Sequence, residues 1–97
     1  MESVKRVEIV TVAVERAALL AALERAGAPG YTVLRHAEGF GNRGHRGADE
    51  LTDVFENVYV LVACTQDVAE RIAAAVRPIL NKFGGVCLIS DAQSVRS

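Results

Sequence analysis

The chain has 97 residues and a formal net charge of −1, with 11 basic and 12 acidic side chains. This length predicts a single domain over residues 1–97, and the balanced charge excludes the broad basic field of a nucleic-acid-binding protein. Cys64 and Cys87 lie in apolar runs without zinc-ligand spacing, which favours reduced thiols in a cytoplasmic protein and predicts no metal site. No segment is typical of a signal peptide or a membrane span, so membrane insertion is not expected.

The first part of the chain alternates between strand-like and helix-like segments. Residues 4–12 are β-branched and partly alternating, which predicts a strand. Residues 14–26 are rich in alanine and leucine and predict a helix that ends at the C-cap glycine Gly27. Residues 31–37 predict a second strand, which a glycine-rich loop follows over about residues 39–53.

The second part repeats this alternation. Residues 54–64 predict a strand that is apolar on both faces, which indicates cover on both sides. Thr65 is the predicted N-cap of a helix over residues 66–82, which we expect Pro78 to kink. The pair Gly84-Gly85 ends this helix. A fourth strand over residues 86–90 and a polar tail over 91–97 complete the chain.

The predicted order β-α-β-β-α-β is that of the ferredoxin-like sandwich. This α+β fold has a four-stranded antiparallel sheet with two helices on one face. Since the strands are apolar on both sides, we expect the second face to be buried in an oligomer. A monomer with an apolar sheet face is the alternative.

The glycine-rich loop carries the clearest chemical signal. Four glycines lie among residues 39–47, interleaved with Arg43, His45 and Arg46. This pattern predicts a backbone that approaches a ligand closely, with arginines able to clamp phosphate oxygens, although a solvated hairpin loop would show the same composition. The turn Gly84-Gly85 can come near the same end of the sheet, where its backbone N–H groups could face an anion or a flat ring.

Catalysis and nucleic-acid binding have little support. His36 lies in a predicted strand and His45 in the loop, and no Ser/His/Asp or Cys/His arrangement follows from the spacing. We therefore expect no enzymatic activity. Recognition of RNA on such a sheet needs exposed aromatic residues on the central strands, and the first strand has none.

Several of these segments resemble the PII signalling family. Residues 30–33, Gly-Tyr-Thr-Val, followed by Gly-Phe-Gly at 39–41 and Gly-His-Arg-Gly at 44–47, are similar to the entry to its regulatory T-loop. Residues 83–86, Phe-Gly-Gly-Val, resemble its B-loop. The resemblance implies a homotrimer whose sheets face inward and which binds adenine nucleotide in clefts between subunits. The implied nucleotide-binding residues are Thr32, Gly39, Phe40, Gly41, Arg43, Arg46, Gly84 and Gly85.

The chain also departs from the family's usual pattern. Its loop is short and has no tyrosine between Gly39 and Asp53, so covalent modification of a loop tyrosine is not expected. Val86 stands where the family has a lysine, and no basic segment follows the last predicted strand. Fewer cations favour AMP or ADP over ATP. These departures resemble a PII-like subgroup associated with bicarbonate transporters or carboxysomes, which implies bicarbonate as a ligand of Arg43, His45 and Arg46.

The resemblance thus implies a non-enzymatic, cytoplasmic nucleotide sensor in inorganic carbon regulation. Its ligand would order the loop, which would then control binding to a transporter or a carboxysome-related partner. Two alternatives stay open. One is a small-molecule regulatory module without nucleotide, and the other is an acylphosphatase-like enzyme, although residues 13–16 lack the glycines of that family's phosphate loop.

Overall fold

The computed structural model describes residues 1–40 and 54–95 and contains the elements that the sequence predicts, in the predicted order. The strands are β1 (Glu2–Val12), β2 (Thr32–Phe40), β3 (Val54–Cys64) and β4 (Val86–Ser94). The helices are α1 (Arg16–Arg25), which a 3-10 turn (Ala13–Glu15) precedes, and α2 (Gln66–Phe83).

The strands form one antiparallel sheet in the order β2-β3-β1-β4, which confirms the ferredoxin-like fold. β1 and β3 are central, and β2 and β4 are the edges. Side chains on alternate positions of the central strands, such as Ile9 and Val60, are fully buried with Leu19 of α1 and Ile72 of α2. Since only one set of alternate positions joins this core, both helices cover the same face of the sheet.

The ends of the helices follow local sequence signals. The Thr65 hydroxyl oxygen accepts a hydrogen bond from the Val68 backbone N–H at 3.3 Å, which confirms Thr65 as the N-cap of α2. The helix continues through Pro78 to Phe83. Gly27 follows α1 with φ +88°, the left-handed conformation that a C-cap glycine adopts at low cost. α1 itself begins at Arg16, later than predicted, because the 3-10 turn takes up the preceding residues.

β1 begins at Glu2, earlier than the predicted residue 4, and two further strands extend beyond their predicted C-terminal ends. β2 continues through Gly39 and Phe40, which pair with β3, so the prediction of a loop from residue 39 was wrong at its start. β4 continues through residues 91–94, which pair with residues 2–5 of β1, so the prediction of a polar tail over 91–97 was wrong for these four residues. In both cases backbone pairing with a neighbouring strand outweighs a local composition that disfavours strands.

A β-bulge interrupts β2 between Leu34 and Ala37. Within it, His36 has φ +61°, and its ring contacts the Glu56 carboxylate on β3. A histidine in the left-handed region carries a backbone strain that few residue types tolerate. The bulge therefore fixes a change of register where the β2–β3 hairpin extends beyond the rest of the sheet.

This strain predicts an order of stability among variants at residue 36. His36→Asn and His36→Val both lose the contact with Glu56, but asparagine tolerates positive φ whereas a β-branched residue does not. We expect His36→Val to be less stable than His36→Asn by about 1–2 kcal/mol. Urea unfolding followed by circular dichroism measures the difference, and equal stability of the two variants would contradict the strained bulge.

The sheet face away from the helices exposes large apolar side chains. Leu34, Leu61, Val86 and Leu88 come from β2, β3 and β4 and are between 36% and 56% exposed. Cross-strand pairing places all of them on this face, here called the open face. β3 thus carries the apolar Leu61 on this face as well as its buried residues on the other, as predicted, whereas the apolar groups of the open face otherwise come from the edge strands. Such an apolar surface is typical of a region that another protein surface covers.

Polar side chains on the open face bond to one another. The Tyr59 hydroxyl donates to the Glu8 carboxylate at 2.7 Å. The Arg6 Nε atom lies 3.7 Å from the Glu8 carboxylate and donates to the Ser90 hydroxyl at 3.2 Å. The hydrogen bond to Glu8 and the burial of Tyr59 raise the pKa of Tyr59, which keeps the phenol protonated as a donor. The open face thus combines exposed apolar groups with polar groups that already have partners, as subunit interfaces do.

Candidate functional site

The loop between α2 and β4 has the geometry that only glycine supplies. Gly84 and Gly85 have φ +83° and +122°. A Cβ atom on Gly85 would lie 2.2 Å from the Val10 carbonyl oxygen and 3.1 Å from the Leu80 Cδ2 atom. No real Cβ contact is as short as the first of these, so the backbone of this loop packs directly against β1. The prediction of a glycine turn at this position is confirmed.

Two hydrogen bonds hold Gly84 in place. Its backbone N–H donates to the Leu80 carbonyl at 2.8 Å, and its carbonyl accepts from the Thr11 hydroxyl at 2.9 Å. Thr11 is fully buried near the end of β1. Thr11 was not among the predicted site residues. The one available signal was a hydroxyl at the position where the apolar alternation of Val7 and Ile9 calls for another apolar residue.

The end of the β2–β3 hairpin forms a second candidate region. Gly39 pairs with Phe55, beyond the level at which Val12 ends β1. It therefore lies towards the same end of the sheet as Gly84-Gly85, whose neighbour Val86 pairs with Val10. The other predicted loop residues lie outside the described part of the chain: Gly41, Arg43, His45 and Arg46.

Within one chain, the predicted site residues lie on opposite edges of the sheet. Thr32 and Gly39 belong to the edge strand β2, whereas Gly84 and Gly85 lead into the other edge strand, β4. Thr32 is exposed and pairs with Leu61 on the open face. Three strand spacings, roughly 14 Å, separate the two edges. The fold therefore places Thr32 apart from the Gly84-Gly85 loop of its own chain, here called the glycine loop.

A groove of about 290 Å³ opens between α2 and β4, beside the glycine loop. Its apolar wall includes Leu80 and Ile89, and Arg77 and Asn81 add polar groups. Arg77 was not predicted, because on a helical pattern it is typical of a solvent-facing cation, and only the position of β4 shows that it borders a groove. Burial raises the pKa of the Cys87 thiol, which lines the same groove, so this cysteine stays neutral.

Other candidate groups do not converge on this region. His36 contacts Glu56 on the β2–β3 hairpin, and Cys64 is buried with its thiol pKa raised by burial. The Lys82 ammonium lies 5.4 Å from the centre of the Phe83 ring, in a cation–π contact at the end of α2. Within residues 1–40 and 54–95, no group of three or more His, Cys, Asp or Glu side chains could hold a metal ion.

The fold and the glycine loop agree with the protein family that the sequence matches. The family profile of the nitrogen regulatory protein P-II matches residues 4–97, nearly the whole chain. The chain therefore belongs to the P-II family. No curated protein sequence matches it. Among the described residues, neither helix is long and apolar enough to cross a membrane.

Solved structures with this fold include PII-like proteins and P-II proteins. CPII from Thiomonas intermedia K12, a nitrogen regulatory PII-like protein bound to ADP, AMP and bicarbonate, has a TM-score of 0.81 and 21% identity, over 98% of this chain and 96% of that one. A putative PII-like signalling protein from Thermus thermophilus has a TM-score of 0.72 and 22% identity, over 97% and 91%. GlnK of B. subtilis in complex with ATP has a TM-score of 0.69 and 18% identity, over 95% and 84%.

Proposed function

We propose that this chain is a non-enzymatic regulatory protein that binds an adenine nucleotide in clefts between the subunits of a homotrimer. The observation that carries the proposal is the Gly84-Gly85 loop, whose backbone is fixed against β1 by the close packing of Gly85 and by the hydrogen bond from Thr11 to Gly84. Backbone N–H groups in such a loop suit phosphate oxygens and the edge of a flat base. Membership of the P-II family supports a regulatory role.

The open face supports the trimer. Its apolar side chains need cover, and the family resemblance implies subunits whose sheets face inward. Assembly would also bring the β2 edge of one copy towards the β4 edge of another, and so complete a cleft that one chain alone does not form. The cleft would contain Thr32, Gly39, Phe40 and Gly41 on one side and Gly84 and Gly85 on the other, with Arg43 and Arg46 at the phosphates.

The ligands of related structures support AMP, ADP and bicarbonate. CPII binds ADP and AMP with bicarbonate or with acetate, whereas GlnK of B. subtilis binds ATP. In this chain Val86 follows the glycine loop, so β4 begins without a cation for a third phosphate. AMP and ADP are therefore the preferred nucleotides. Bicarbonate, a small anion, suits the guanidinium and imidazole groups of Arg43, His45 and Arg46.

The part of the chain that follows β2 would serve as the switch. Residues 41–53 carry the cations of the loop between β2 and β3. A nucleotide held at the loop base would favour one loop conformation, and a target protein would bind only one of the two states. CPII binds bicarbonate, and the subgroup that the chain resembles is associated with transporters and carboxysomes. That target would therefore be a transporter or a carboxysome-related protein of inorganic carbon metabolism, in the cytoplasm.

Isothermal titration of the wild-type protein with AMP, ADP, ATP and cyclic AMP tests this function, with and without bicarbonate. We expect AMP and ADP to bind at micromolar concentrations, more tightly than ATP, because the phosphate region has few cations. The measured stoichiometry should be one nucleotide per chain. No heat with any of the four nucleotides would exclude the proposal and favour a regulatory module without nucleotide. Turnover of an acyl phosphate would instead indicate an acylphosphatase-like enzyme.

A further inference from the structure

We infer that Thr11 is a positioning residue, and that its buried hydroxyl holds the Gly84-Gly85 loop in the conformation that binds nucleotide. The expected effect on nucleotide binding rests on the proposed function, whereas the contact between Thr11 and the loop is a feature of the described residues. The buried side chain of Thr11 contacts the loop from its core side, so Thr11 acts on the ligand only through the loop.

The burial of Thr11 shows that packing alone does not explain its hydroxyl. Thr11 follows Val7 and Ile9 on the helix-facing side of β1, and all three are fully buried. Valine has nearly the same shape and would fill this position without burying a polar group. A buried hydroxyl is costly unless it finds a partner, and here it donates to the Gly84 carbonyl at 2.9 Å. The hydroxyl therefore serves the contact with the loop.

With this contact, two elements, α2 and β1, restrain the loop. The N–H of Gly84 is bound to Leu80 in α2, and its carbonyl is bound to Thr11 in β1. The following glycine, Gly85, lies directly against the Val10 carbonyl. A loop fixed in this way loses little further conformational entropy when a ligand binds. Loss of the Thr11 bond leaves the Gly84 carbonyl without this donor and removes one of the three restraints on the turn.

Three variants separate positioning from general stability. Thr11→Val keeps the shape of the side chain and removes the donor, whereas Thr11→Ser keeps the donor. Thr65→Ala is the matched control, since it removes a different threonine hydroxyl bond at the other end of α2. Two properties are measured for each protein: the affinity for ADP by titration calorimetry, and hydrogen exchange of the Gly84 amide in the ligand-free state.

We expect Thr11→Val to bind ADP about tenfold more weakly or worse, and to exchange the Gly84 amide faster than the wild type. Thr11→Ser should restore both properties to within about threefold of the wild type. Thr65→Ala should lower Tm by about 4–8 °C and keep the wild-type affinity. An affinity loss in Thr11→Val no larger than that in Thr65→Ala would overturn the inference.

Failure of the proposed function gives a different pattern. If the wild-type protein binds no adenine nucleotide, the nucleotide proposal is wrong. Hydrogen exchange of the Gly84 amide then still tests whether Thr11 restrains the loop. Unchanged exchange in Thr11→Val would then overturn the positioning role. Faster exchange in Thr11→Val alone, with Thr11→Ser and Thr65→Ala unchanged, would support it as a property of the loop.

Discussion

Replacement of Leu88 by aspartate should convert the proposed trimer into monomers that remain folded. Leu88 lies on the open face, is 55% exposed, and pairs across strands with Glu8. An exposed position tolerates aspartate in the isolated chain with little loss of stability. In an interface, the same aspartate would be an unpaired buried carboxylate next to Glu8, which costs several kcal/mol per subunit.

Light scattering coupled to size-exclusion chromatography measures this effect. The wild type should elute with three times the chain mass of 10.4 kDa, and Leu88→Asp with the mass of one chain. Val14→Asp is the matched control, because Val14 is also an exposed apolar residue, 82% exposed, but lies in the 3-10 turn between β1 and α1 rather than on the open face. A wild-type protein that is already monomeric, or a Leu88→Asp variant that stays assembled, would contradict the role of the open face.

Gly85→Ala should strongly destabilise the protein. The new Cβ atom would overlap the Val10 carbonyl oxygen at 2.2 Å, and the residue would keep a φ of +122°, which side chains rarely adopt. Backbone strain and overlap together should cost about 3 kcal/mol or more. Relief of the overlap would move the loop away from β1, so nucleotide binding should be lost as well.

Thermal unfolding and titration with ADP measure the two consequences. We expect Gly85→Ala to lower Tm by more than about 10 °C and to give no detectable ADP binding. Gly30→Ala serves as the control, since a Cβ there meets no atom within 4 Å and its backbone needs no glycine. It should match the wild type in both measurements. If Gly85→Ala melts and binds as Gly30→Ala does, the loop is not packed as the structure describes.

The fold was predictable because its signals are local and repeated. The β-branched alternation of β1, the bounds of β3 and the N-cap at Thr65 all follow from side chains whose preferences agree with their final positions. The extensions of β2 and β4 were not predictable in the same way. Gly39 and residues 91–94 have little intrinsic strand preference, and they are strand because β3 and β1 run alongside them.

The candidate site was predictable only in its composition. Glycines at residues 84 and 85 predict a turn, and the structure confirms this turn. The donor that restrains this turn, Thr11, is 73 residues away in the chain, and sequence spacing carries no information about such a contact. The bulge at His36 was missed for a related reason, since a positive φ in a non-glycine residue is imposed by pairing with β3 rather than encoded locally.

The separation of Thr32 and Gly84-Gly85 on opposite edges of the sheet has a thermodynamic consequence. In the proposed trimer, a ligand that contacts both edges bridges two copies of the chain, so ligand binding and subunit association would share one free-energy cycle. The apparent affinity for nucleotide should fall when the protein is diluted below the concentration at which its subunits dissociate, and bound nucleotide should in turn lower that concentration. The cellular concentration of the protein would then set the nucleotide level to which it responds.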